Sequence, residues 1–201
     1  MNSYDLKKAK EMFSRLFVLA IKNKINLNAF TNALERSVLI NDIENGNYSQ
    51  VLNDSLINIF YSITGYKADV DDSYGIYNDA YWSGFSYFYL FLKTSKPFSY
   101  LFLKLPLAEM LNIYPIFHEM DTSSLEEYFH KVEQEKTMLR LLCENRKCSL
   151  SKLSEDLDIN LATIRKYNES DKALYNGSFQ NIVKIAKYFD KPVSLFTEFI
   201  R

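Results

Sequence analysis

The chain has 201 residues, a length that suffices for one or two domains with buried cores. Apolar residues make up 47% and charged residues 24%, a composition that excludes a disordered chain. The net charge is −1, so the overall charge of the chain does not indicate nucleic-acid binding. Because only five glycines and four prolines interrupt the sequence, we predict an all-α fold.

Three helices are predicted in the first third of the chain. Apolar residues recur at three- and four-residue spacing in residues 3–22, which predicts a first helix with one buried face. A second helix is predicted over residues 28–39. After a turn at residues 45–47, Ser49 is expected to cap a third helix that ends at Gly65.

An aromatic-rich helix is predicted near the middle of the chain. Residues 66–77 are expected to form a loop, and Asn78 then opens the stretch DAYWSGFSYFYLFLKTS. This stretch is apolar on nearly every side, as expected for the central helix of a bundle. Pro97 and Pro106 each predict the start of a short helix, because proline is tolerated in the first helical turn.

A polar stretch marks the predicted domain boundary. Ser123 and Glu126 have the spacing of a capping box, which predicts one long helix through EEYFHKVEQEKTMLRLLCENRK. The polar middle of that helix lies at residues 131–136. We therefore expect an N-terminal helical bundle, residues 1–130, for dimerisation or partner binding, and a C-terminal module of about five helices, residues 131–201.

Two short helices joined by a tight turn are predicted in SLSKLSEDLDINLATIRKYNES. Ser154 is expected where the helices approach closely and only a small side chain fits. Asp158 is expected in the left-handed conformation of the turn, and Ile159 in the core. The inner stripe of the first helix comprises Leu150, Leu153 and Leu157.

The second helix of the pair presents polar and small residues outward. Asn160 can cap it, while Ile164 and Tyr167 face inward. After a loop at residues 169–177, Ser178 is expected to cap a further helix, before a short last helix that contains Val193, Leu195 and Phe196. The inward residues of the further helix are predicted to be Phe179, Ile182, Ile185, Ala186 and Phe189.

This segment resembles the Cro/C1-type, or XRE-type, helix-turn-helix DNA-binding family. The resemblance covers about the last 60 residues and rests on the later SFQNIVKIAKYFDKPVSLF and on Leu153, Ser154, Leu157, Ile159, Thr163, Ile164 and Tyr167. It implies that base edges are contacted by Asn160, Leu161, Ala162, Thr163, Arg165 and Lys166. It also implies that the DNA backbone is contacted by Ser149, Ser151 and Lys152.

The segment departs from the family pattern at three places. Asp158 replaces the usual turn glycine, and the loop at residues 169–177 is longer than usual. Asn168 stands where a glutamate commonly follows the aromatic position, which is Tyr167 here. The local charge still favours DNA, because residues 131–201 carry 13 basic and 10 acidic side chains. Against it, Glu155, Asp156 and Asp158 would oppose the approach of phosphates.

A second resemblance concerns the N-terminal domain. The run PLAEMLNIYPIFHEMD at residues 106–121 resembles proteins of toxin–antitoxin operons; the alternative is that it merely forms a helix that closes the bundle. We expect a cytoplasmic, homodimeric transcriptional regulator that represses through double-stranded DNA, with a toxin as a further candidate partner and no membrane association. The alternative function is an antitoxin or inhibitor that neutralises a partner through the N-terminal domain.

Enzymatic and cofactor chemistry is not expected. The sequence has no phosphate loop, dinucleotide fingerprint or nucleophile elbow. His118 and His130 lack the helical spacing of a metal site, so we predict no metal and no cofactor. Cys143 and Cys148 are too few for a disulfide framework and are expected to be reduced thiols.

Overall fold

A computed structural model of the chain describes residues 3–68 and 77–197. All regular structure in these two ranges is helical, which confirms the all-α prediction. The chain divides into two compact units, Met1–Glu126 and Glu127–Arg201. Within the described ranges, no helix combines the length and apolar composition needed to cross a lipid bilayer.

The described part of the N-terminal unit consists of short helices around two longer ones. The first long helix, α1, and the aromatic-rich helix, α6, both begin where the sequence predicts. The helices are α1 (Ser3–Lys22), α2 (Leu27–Leu34), α3 (Val38–Glu44), α4 (Tyr48–Val51), α5 (Leu56–Thr64), α6 (Asn78–Thr94), α7 (Phe98–Lys104) and α8 (Leu107–Phe117). Helix α9 (Thr122–Glu135) contains the point at which the two units divide.

Two predicted helices of this unit are each divided by a serine. The helix predicted over residues 28–39 is wrong, because the Ser37 hydroxyl accepts the Ile40 N–H and starts α3. Likewise Ser55, not Ser49, caps α5 by accepting the Asn58 N–H at 3.2 Å. A serine offers the backbone an alternative hydrogen bond, which ends one helix and starts another. Residues 69–76 of the predicted loop lie outside the described residues.

Aromatic rings fill the centre of the N-terminal unit, where α1 packs against α6. A Cβ on Gly84 would lie 2.6 Å from the Ser14 Cα, so only glycine permits this close approach of the two helices. The hydroxyl of the buried Tyr87 donates to the Leu105 carbonyl at 2.6 Å, which satisfies its polar end. The other large rings of this core include Phe13, Phe17, Phe88, Phe91 and Phe98, all fully buried.

The C-terminal unit is a series of short helices. The long helix predicted through residue 147 is wrong, because α9 ends at Glu135 and α10 (Met138–Arg146) starts anew. The Met138 N–H donates to the Asp171 carboxylate at 2.7 Å, and the Thr137 hydroxyl donates to the Asn168 carbonyl. The remaining elements are α11 (Leu150–Leu157), α12 (Leu161–Glu169), α13 (Asp171–Tyr175), α14 (Phe179–Phe189) and a 3-10 helix (Val193–Phe196).

Two further expectations for this unit are corrected. The stretch predicted as a loop, residues 169–177, contains α13, which Ser170 caps by accepting the Ala173 N–H. Phe179 is 71% exposed instead of facing inward, although the rest of its predicted stripe is buried. Periodicity assigns a residue to a helix face, but it does not say whether a neighbouring element reaches that part of the face.

Candidate nucleic-acid interface

Helices α11 and α12 form a corner in which a single residue, Ile159, separates the C-cap Asp158 from the N-cap Asn160. Asp158 has the left-handed conformation predicted for it, with φ of 49° and ψ of 54°. Ile159 is buried beside it, as are Leu153 and Leu157 of α11. Ser154 does more than leave space, because its hydroxyl donates to the Ile159 carbonyl at 2.6 Å. The corner is therefore held by both apolar packing and a hydrogen bond.

A lysine of α14 donates hydrogen bonds to the backbone of this turn. The Lys184 ammonium group donates to the carbonyl of Leu157 at 2.8 Å and to that of Asp158 at 3.3 Å. Carbonyls at the end of a helix have no partner within the helix, and a cation is favoured there. This contact was not predictable from the sequence, because Asp158 and Lys184 are 26 residues apart and no local pattern connects them.

We expect Lys184→Met to loosen the corner. The substitution keeps the apolar stem but removes the donor to the two carbonyls, at a cost of about 1 kcal/mol in local stability. Hydrogen–deuterium exchange on the full chain should then show faster exchange for the amides of α11 and of the turn. Lys187→Met, at an exposed position of the same helix, is the matched control. Equal exchange in the two variants would contradict the role of Lys184.

Among the described residues, α12 is attached to its unit by the side that carries Ile164 and Tyr167. Ile164 is fully buried and Tyr167 is 5% exposed. The Tyr167 hydroxyl accepts a hydrogen bond from the Asn181 side chain at 3.2 Å. A Cβ on Gly177 would lie 2.7 Å from the same hydroxyl, so the chain passes closely over this ring. These contacts fix the rotation of α12 about its axis.

The predicted base-contacting residues lie at the start and on the outer side of α12. Asn160 is the N-cap, and its side-chain oxygen accepts the Ala162 N–H at 2.8 Å. Leu161 and Thr163 are half-buried, so they are less accessible than the remaining members of the set. The exposed members on the helix itself are Ala162, Arg165 and Lys166.

The predicted backbone-contacting residues lie at the start of α11. Ser149 is the N-cap, with its hydroxyl accepting the Lys152 N–H at 3.2 Å, and Ser151 is exposed in the first turn. The Lys152 ammonium group is 3.2 Å from the Asp156 carboxylate. Because this pair is exposed, a phosphate can compete with Asp156 for Lys152.

Asp156 belongs to a polar network that connects three helices. Its carboxylate also accepts a hydrogen bond from the Tyr188 hydroxyl at 2.9 Å. The hydrogen bonds from Tyr188 and Lys152 lower the pKa of Asp156, so it is ionised at neutral pH. The Arg146 guanidinium lies 4.4 Å from the centre of the Tyr188 ring and donates to the Tyr188 carbonyl. The network therefore fixes the position of the Asp156 carboxylate on α11.

A groove of about 460 Å³ lies beside α12. Lys166 of α12 and Lys172 of α13 both line it, together with the hydroxyl-bearing side chains of Thr163, Ser170 and Ser178. Two ammonium groups and several hydroxyls are suited to an anionic group such as a phosphate. Lys172 was missed in the sequence because its segment was interpreted as a loop.

Metal-binding side chains do not converge anywhere in residues 3–68 and 77–197. His118 is engaged locally, since its Nδ1 lies 2.8 Å from the Tyr114 carbonyl and its ring stacks on that tyrosine. No family model, curated protein or solved structure matches this chain.

Proposed function

We propose that the C-terminal unit binds double-stranded DNA with sequence specificity and that the protein is a transcriptional regulator. The observation that carries the proposal is the two-sided character of α12. Ile164 and Tyr167 attach one side to the unit, while Ala162, Arg165 and Lys166 are exposed on the other. A helix that is held on one side and presents a small residue and two cations on the other suits the major groove of DNA.

Base recognition is assigned to the exposed side of α12. The Arg165 guanidinium can donate two hydrogen bonds to a guanine, which is the commonest specific contact in the major groove. The short side chain of Ala162 permits close approach and can contact a thymine methyl group. Thr163, half-buried beside the groove, can supply a hydroxyl at the edge of the contact.

Phosphate contacts are assigned to the start of α11 and to the two lysines that line the groove beside α12. The amides at the start of α11 and the side chains of Ser149 and Ser151 are suited to one phosphate, with Lys152 beside them. Lys166, which the resemblance places among the base-contacting residues, lines the groove together with Lys172, and we assign the two ammonium groups to a phosphate there. Because Lys152 is paired with Asp156, DNA has to replace an existing ion pair, which lowers non-specific affinity.

The N-terminal unit is proposed to bring two C-terminal units together. One helix-turn-helix unit reads a half-site, and a homodimer reads two half-sites related by the same symmetry. In this proposal the protein represses from a symmetric operator, and neutralisation of a toxin by the N-terminal unit would be an additional activity of the same chain.

The proposal can be tested by selecting ligands for the full chain from a randomised duplex library and measuring their affinity by fluorescence anisotropy. Lys152, Lys166 and Lys172 are three candidate phosphate contacts, which predicts a slope of log affinity against log salt of about −3 for each unit. Lys152→Ala is expected to reduce this slope by about one for each unit and to weaken binding to all sequences equally.

Lys187→Ala, which removes a charge on α14 away from the predicted set, is the matched control and should leave the slope unchanged. Affinity that does not vary with salt would contradict DNA binding. Failure to select any sequence would favour the alternative, in which the chain acts through a protein partner.

A further inference from the structure

The two cysteines of the chain occupy the two positions that meet at the end of α10. Lys147 ends the helix in the left-handed conformation, with φ of 54°. The Cys148 N–H donates to the Cys143 carbonyl at 3.0 Å, and the Lys147 N–H donates to the Glu144 carbonyl at 3.2 Å. This pair of bonds defines a Schellman motif, which frequently brings the side chains at these two positions into contact. Here the Cys143 and Cys148 thiols are within hydrogen-bonding distance of each other.

The two thiols differ in accessibility. Cys143 is 6% exposed, whereas Cys148 is half-buried. Both line an open groove of about 440 Å³, to which Arg140 and Lys147 also contribute. Burial raises the pKa of Cys143, and the neighbouring Cys148 thiol raises it further through a hydrogen bond and through charge. Cys148 is therefore the thiol that an outside reagent reaches first.

We propose that Cys143 and Cys148 form a redox-active dithiol that low-molecular-weight disulfides convert to an intramolecular disulfide. The Cys148 thiolate attacks one sulfur of the reagent, a mixed disulfide forms, and one reagent thiol leaves. Cys143 then loses its proton to solvent and attacks the Cys148 sulfur, which releases the second reagent thiol. Two protein thiols are oxidised in this step and one disulfide reagent is reduced to two thiols.

The fold favours closure within the chain. The backbone hydrogen bond between Cys148 and Cys143 keeps the two residues together before any reaction. Cys148 lies beyond the last residue of α10, so it can move toward Cys143 without unwinding the helix. It also directly precedes Ser149, the N-cap of α11. Oxidation would therefore act at the start of the helix-turn-helix corner.

The experiment treats the full chain with oxidised glutathione and measures its intact mass. The wild-type chain is expected to lose the mass of two hydrogen atoms and to retain no glutathione. Cys143→Ala should stop at the mixed disulfide and gain one glutathionyl group. Cys148→Ser should remain unmodified under the same conditions. Circular dichroism spectra that match the wild type would establish that the two variants are folded.

Three results would overturn the proposal. They are accumulation of the mixed disulfide in the wild type, modification of Cys148→Ser at Cys143, and covalent dimers on a non-reducing gel. Each result would show that the thiols react with other partners in preference to each other.

A second measurement rests on the proposed function. Because a disulfide draws Cys148 toward α10 and shifts the N-cap of α11, the oxidised wild type should bind its selected duplex about tenfold more weakly than the reduced form. Cys148→Ser should bind equally before and after treatment. Equal affinities of the two wild-type forms would contradict the coupling to DNA. Binding by neither form would contradict the proposed function and leave the mass result intact.

Discussion

Ile164→Ala is expected to lower the free energy of unfolding of the C-terminal unit by about 2–5 kcal/mol. Ile164 is fully buried on the inner side of α12, where that helix packs against α10, α11 and α13. Shortening the side chain removes apolar atoms from the core and leaves a cavity that the surrounding helices fill only in part. This is the largest effect that we expect from a single substitution in α12.

The effect can be measured by urea denaturation of the full chain, with hydrogen–deuterium exchange to identify the α12 amides that lose protection. DNA binding should fall only under conditions in which the C-terminal unit unfolds. Arg165→Ala, at the next position, where the side chain is exposed, is the matched control and should leave the denaturation curve unchanged. An unchanged curve for Ile164→Ala would contradict the inward position of this residue.

Arg165→Ala is expected to weaken binding to the selected duplex by about 1–3 kcal/mol, which is about 5-fold to 150-fold in affinity. Arg165 is exposed, and its neighbour Ile164 already supplies the buried contact at this level of the helix. The loss should therefore be one of base recognition and not of folding. Fluorescence anisotropy with the selected duplex and with single-base variants of it measures the change.

Arg165→Lys distinguishes the contribution of the positive charge from that of the guanidinium geometry. A lysine keeps the positive charge but cannot make the two parallel hydrogen bonds of a guanidinium, so non-specific affinity should return while discrimination at one base pair does not. If Arg165→Ala unfolds the unit while Ile164→Ala has no effect, the assigned rotation of α12 is wrong. Full retention of discrimination by Arg165→Ala would instead remove Arg165 from the base-contacting set.

Features of the corner that depend on adjacent residues were predictable. Asn160 caps α12, Ser178 caps α14 and Asp158 adopts the left-handed conformation, all as expected. Each of these depends on a short polar side chain and on backbone groups within three residues, so the sequence pattern contains the whole interaction. The inward positions of Ile164 and Tyr167 were predictable for a similar reason, because helical periodicity selects one face over only a few residues.

The ends of helices were harder to predict where helical periodicity and a capping residue favour different structures. Ser37 and Ser55 divide the apolar pattern of the first third of the chain into more helices than its periodicity indicates. At such positions periodicity favours one continuous helix and capping favours two, and the free energies of the two structures are similar. Which of them prevails depends on the packing around each short helix, which is absent from the local sequence.

Contacts between distant residues were decided by the tertiary structure alone. Lys184 reaches the carbonyls of the turn, Asp171 receives the N–H that starts α10, and Tyr188 holds the carboxylate that pairs with Lys152. In each case the two partners are separated by 26 or more residues. The sequence therefore determines which side of α12 is apolar, whereas the packing of α10, α13 and α14 determines which charges surround the exposed side. Only folding brings those helices within hydrogen-bonding distance of one another.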